Sequence, residues 1–168
     1  MPNTLTLIET KTLTSDQSTV VFSSIPATYT DLLVVLSVRG SQSSVNESYE
    51  IYFNGTNTNR SGTRWYGTGT AVEADGASQL EGVGNTATSD VFSNESVYIF
   101  NYTSTTGSKH FMFESGTSTN STNGYQIFGT GRWNPATSVA INSITFDGNS
   151  STTLLTGSTL SLYGILKV

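Results

Sequence analysis

Apolar and polar residues alternate with a period of two in about ten runs along this chain. They lie near residues 4–12, 18–24, 31–39, 48–54, 62–67, 95–103, 108–115, 124–133, 138–146 and 158–167. Each run has the length of a strand, and no stretch of useful length carries the 3.6-residue period of an amphipathic helix. In Tyr49-Ile51-Phe53, Phe111-Phe113 and Leu160-Leu162 the large side chains fall on one face, as in strands with a single buried side. The third run differs: Leu32, Val34, Leu36 and Val38 share one face while Leu33 and Val35 occupy the other. It is predicted to be a central strand covered on both sides.

Turn signals separate the runs: Pro26 with Tyr29-Thr30-Asp31, then Asn54-Gly55, Thr106-Gly107, Asn123-Gly124, Asn134-Pro135, Asp147-Gly148 and Thr156-Gly157. Gly and Asn accept the positive φ angles that tight hairpins require. The spacing predicts an all-β fold, a single antiparallel β-sandwich domain over residues 1–168, jelly-roll-like, with about ten strands. Residues 67–93 depart from the pattern. Gly, Ala and acids (Glu73, Asp75, Glu81, Asp90) replace apolar periodicity there, which predicts a long loop ordered by a neighbouring subunit.

Composition sharpens the picture. The chain has 28 Thr and 25 Ser among 168 residues, and β-branched Thr suits a pleated surface while its hydroxyl remains hydrated. With no Cys, disulfides and thiolate metal sites are excluded. The net charge of −5 and the scattering of Lys11, Arg39, Arg60, Arg64, Lys109, Arg132 and Lys167 argue against a groove that tracks phosphates, so nucleic acid is not an expected partner. The longest apolar run, Leu32 to Leu36, is too short to span a bilayer, and Met1–Lys11 lacks a basic segment leading into an apolar one. A soluble chain that is not processed by signal peptidase, with no membrane partner, is expected.

Candidate chemistry is sparse. His110 is the single histidine, and in Lys109-His110-Phe111-Met112-Phe113 it alternates with the two Phe, which predicts a solvated strand position. No G-x-S-x-G elbow is present. Glu47/Glu50 and Glu73/Asp75 are the carboxylate pairs closest in sequence; the first straddles a strand and the second lies in the long segment, so both read as solvated acids. Asp147-Gly148-Asn149 reads as a hairpin turn and not a Ca²⁺ loop. Trp65, Tyr66, Tyr125 and Trp133 could form a platform for sugar stacking, but at strand ends such rings more often close a core or anchor a subunit contact. The predicted interface residues are Leu5, Trp65, Tyr66, Glu73, Asp75 and Trp133. No enzymatic activity and no cofactor are expected.

Three stretches carry a resemblance: Ser24-Ile25-Pro26-Ala27-Thr28-Tyr29-Thr30-Asp31-Leu32; Thr130-Gly131-Arg132-Trp133 after Ile127-Phe128; and Gly157-Ser158-Thr159-Leu160-Ser161-Leu162-Tyr163-Gly164-Ile165. With them the chain resembles small β-rich structural proteins of tailed bacteriophages, many of them aquatic. The resemblance implies a virion protein made in the host cytoplasm. Its implied place is the capsid surface, as a decoration (cement) protein bound to the major capsid protein, with a homotrimer as the expected oligomer. The alternative it implies is a tail-fibre or receptor-binding module engaging host surface glycans. A further expectation concerns Met1 to Thr6, whose Thr-Leu-Thr-Leu alternation suits either pairing with a capsid-protein strand edge or forming the first strand of the domain's own sheet.

Overall fold

The computed structural model describes residues 4–67, 71–117, 124–149 and 152–166, and among these there is no helix. Twelve strands form: β1 Leu5–Thr12, β2 Thr19–Phe22, β3 Asp31–Ser37, β4 Asn46–Phe53, β5 Arg60–Gly67, β6 Val72–Asp75, β7 Leu80–Val83, β8 Asn94–Ile99, β9 Lys109–Gly116, β10 Gln126–Trp133, β11 Ile144–Asp147 and β12 Thr159–Ile165. They build an eight-stranded sheet in the order β1-β12-β3-β8-β9-β10-β5-β6 and a four-stranded sheet in the order β2-β11-β4-β7. The pairings between named strands are antiparallel.

The core lies between the two inner faces. Phe22, Tyr49, Ile51, Phe53 and Phe146 of the small sheet face Leu32, Leu36, Val97, Phe111, Phe113 and Leu162 of the large one, all buried. Phe53 joins the two layers, with its ring centroid 5.4 Å from Phe111 and 5.7 Å from Trp133. Burying each such side chain contributes about 1.5–3 kcal/mol.

Three expectations are corrected here. First, the run near 138–146 is a strand only over Ile144–Asp147. Residues 67–93 are not a single loop, because they contain β6 and β7, each four residues long. Both are terminal strands, held by pairing with β5 and β4 respectively; an edge strand needs little apolar alternation of its own when its neighbour supplies the ladder. Thirdly, β3 is central but covered on one side only. Leu32, Val34 and Leu36 are buried, whereas Val35 is exposed, since the second sheet packs on one face of the large sheet and nothing among the described residues covers the other. Leu5–Thr12 form the first strand of the domain's own sheet: Leu5 pairs with Ile165 and Thr12 with Thr159. Met1–Asn3, the start of the segment considered for capsid pairing, lie outside the described residues.

The stretch Pro26–Asp31 proves to be a structural corner. The Tyr102 hydroxyl donates to the Pro26 carbonyl, the Tyr98 hydroxyl to Asp31 Oδ2 at 2.6 Å, and the Asn101 N–H to Asp31 Oδ1 at 2.7 Å. Tyr29 lies on Gly164 so closely that a Cβ there would sit 2.3 Å from its ring.

Alternate glycines of β10 serve the same purpose. Gly129 and Gly131 stand opposite Phe113 and Phe111 in register, and a Cβ would come within 2.2 and 2.0 Å of the respective ring tips. Gly131→Ala is therefore expected to force Phe111 off its rotamer and to cost about 1–3 kcal/mol. Urea unfolding of the variant checks it; a change within ±0.5 kcal/mol, the usual range for a neutral surface substitution, would show that the ring moves aside at no cost.

Candidate functional site

The outer face of the eight-stranded sheet is open, and the register orders its side chains into rows. One row runs Ala74, Trp65, Phe128, Glu114, Ser96, Val35, Ser161, Thr10 from β6 to β1. The next runs Thr63, Thr130, Met112, Tyr98, Leu33, Tyr163, Leu7. Leu7, Val35, Trp65, Phe128 and Val72 are all exposed, Val72 at 83%. Trp65 and Phe128 stack, with centroids 6.2 Å apart and planes inclined by 24°. Beside them a shallow hollow of about 330 Å³ is lined by Ser96, Tyr98, Phe100, Met112 and Glu114. The polar members are tied to one another, as the Ser96 hydroxyl donates to Glu114 Oε1 at 2.9 Å.

Of the predicted interface residues, Leu5 and Trp65 are exposed on this face, by 48% and 46%, but six strands apart. Trp133 is a correction: it is 1% exposed and belongs to the core. Tyr66 alternates with Trp65 and so faces the opposite way, edge-on to Tyr125 at 5.8 Å, its hydroxyl donating to Glu73 Oε2 at 2.9 Å. The four rings therefore do not make one platform. Asp75 accepts Arg64 Nε at 2.9 Å and Nη2 at 3.0 Å, and the guanidinium holds its carboxyl below the ordinary range. Residues missed from the sequence are Phe128, Tyr98, Met112 and Leu7, whose parity becomes informative only once the covered face is known.

The carboxylate pairs are also corrected, because these acids are engaged in structure and not merely solvated. Glu47 is buried and accepts the Gln42 N–H at 2.7 Å; burial pushes its carboxyl up. Glu50 pairs with Arg60 at 2.7 Å. Glu81, on β7, takes Arg64 Nη1 at 2.9 Å and the Ser48 hydroxyl at 2.6 Å. His110 is exposed on the outer face, opposite Arg132 in register. Lys109 points inward and is buried, which pushes its amine down. Among the described residues no group of three or more His, Asp or Glu is placed to hold a metal ion.

Compared with known proteins, the chain matches no family model, no curated protein and no solved structure.

Proposed function

We propose that this protein is a non-enzymatic virion protein of a tailed phage, a capsid decoration protein that reinforces the outer shell through the open face of its large sheet. One observation carries the reading: a face eight strands wide with apolar and aromatic side chains, Leu5, Leu7, Val35, Trp65 and Phe128, left in water. Exposed apolar and aromatic side chains gathered on one face, with Glu114, Ser96 and Ser161 between them, support an interaction surface, and its breadth suits a broad protein partner such as the major capsid protein. The resemblance in Ser24–Leu32, Thr130–Trp133 and Gly157–Ile165 supports the viral setting. A homotrimer on the capsid is part of the proposal, since repeated shell components are symmetric.

The stacked, exposed pair Trp65–Phe128 favours a second reading, a tail-fibre or receptor-binding module in which these rings take host glycans. Electron microscopy of particles labelled with antibody to the purified chain separates the two. Label on the head faces supports decoration, label on the tail supports the second reading, and particles without label overturn both. The double variant Trp65→Ser, Phe128→Ser should fold, since both rings lie on the exposed outer face and outside the core, and bind capsids more weakly by at least about 2 kcal/mol, a factor of about thirty. Co-sedimentation with capsids measures this, and unchanged attachment would move the contact off this face.

A further inference from the structure

Three carboxylic acids, Glu47, Glu81 and Glu95, are buried where β4 and β7 pack on β8. Two have conventional partners: Glu47 has the Gln42 N–H, and Glu81 has Arg64 and Ser48. Arg64 also serves Asp75. Glu95 is different, because its carboxyl is clasped by two hydroxyls, Tyr49 on Oε2 and Ser93 on Oε1. The charged group that acts on it is a like charge, Glu81 from β7. The remaining neighbours carry no compensating cation: just after β3 lies Val38, whose N–H and C=O bond Ser93. From β9, Ser115 pairs with it in register and sends its hydroxyl to the Glu81 carbonyl.

The contacts around Ser93 fit a protonated carboxyl. Its hydroxyl oxygen accepts the Val38 N–H at 3.2 Å, lies 3.0 Å from the Val38 carbonyl and touches Glu95 Oε1. A serine hydroxyl has one hydrogen to give. A neutral carboxyl accommodates every contact at once, its own hydrogen going to Ser93 Oγ and the serine hydrogen to the Val38 carbonyl, which also accepts the Ser93 N–H at 2.9 Å. Desolvation acts in the same sense, since a buried carboxylate without a cation is strongly disfavoured.

We propose that Glu95 is a neutral carboxylic acid donating to Ser93 in the folded protein, and that its ionisation in mildly alkaline solution is a switch that loosens β7 from the large sheet. Burial, helped by Glu81, pushes Glu95 up to about 8 from the ordinary 4.5. Tyr49 is raised well above its usual range and stays neutral throughout that window. Between about pH 4.5 and 8 the unfolded chain has lost this proton while the folded one keeps it, so the native state binds more protons and stability falls as pH rises, by about tenfold in the folding equilibrium per pH unit. Above about pH 8 both states are ionised and this slope ends. An ionised Glu95 then confronts Glu81, and β7, the four-residue strand that carries Glu81 and is buried beside Glu95, is the element on which the repulsion acts.

Carbon-13 NMR of the carboxyl of Glu95 in the wild-type protein tests the proton directly. A midpoint between about pH 7 and 9 is expected, matching the elevated value; a midpoint in the ordinary carboxylate range overturns the proposal. Urea unfolding of wild type and Glu95→Gln over the same range gives the second readout. The wild-type equilibrium should fall relative to the variant by about tenfold per pH unit up to about pH 8, and parallel curves would refute it. Should Glu95→Gln fail to fold, the NMR midpoint of the wild type decides alone. Amide exchange, corrected for its intrinsic base catalysis, should rise selectively across Leu80–Val83 above the midpoint; a uniform rise would refute the local role given to β7.

Discussion

Replacing Arg39 with Ala is expected to destabilise the domain by about 3–5 kcal/mol, a large part of the 5–15 kcal/mol that holds a typical domain folded. Arg39 is buried, and its guanidinium closes the segment after β7 by donating to four backbone carbonyls: Nη1 to Thr88 at 2.6 Å and Val91 at 3.0 Å, Nη2 to Asn85 at 3.1 Å and Ala87 at 2.9 Å. Truncation leaves all four acceptors without their donor at once, at about 1–3 kcal/mol for each that water cannot reach. Asn85 and Thr88 are exposed and Ala87 is buried, which keeps the total near the stated range and below the full sum. Arg39→Lys should recover only part of the loss, because one ammonium cannot span the positions that a planar fork reaches. Urea midpoints of the two variants check the order, and equal stability of wild type and Arg39→Ala would show that the segment after β7 closes without the guanidinium.

Trp133→Ala is expected to cost about 3–5 kcal/mol, the range for emptying a large aromatic site in a core. The ring is fully buried against Phe53. Its indole N–H has no hydrogen-bond partner among the described residues, so Trp133→Phe removes an unsatisfied donor while keeping most of the apolar contact, and its cost should stay under about 1.5 kcal/mol. Thermal or urea unfolding gives both values. Capsid attachment by the folded Trp133→Phe variant should be unchanged, in contrast to the Trp65 and Phe128 double variant; lost attachment would return Trp133 to the interface.

The alternation of apolar residues in the chain determined the all-β class, the main strands and their turns, because a strand's two faces repeat every two residues and the pattern needs no knowledge of distant partners. Asn54 and Gly55, both at positive φ, show that turn chemistry is local in the same way. Short edge strands were not legible: β6 and β7 have little pattern of their own and exist through pairing with β5 and β4. Orientation was not legible either. Arg64-Trp65 and Arg132-Trp133 are the same dipeptide, yet Arg64 points inward to Glu81 with Trp65 in water, while Arg132 is exposed and Trp133 buried. The difference lies in register: Trp65 stands opposite Phe128 on the outer face, whereas Trp133 stands opposite Lys109 on the inner one. Which parity of a strand meets the second sheet depends on contacts far apart in sequence, and a one-residue slip would exchange the two faces. The open face, and with it the candidate site, was therefore decided by how the sheets pack and not by any single run of residues.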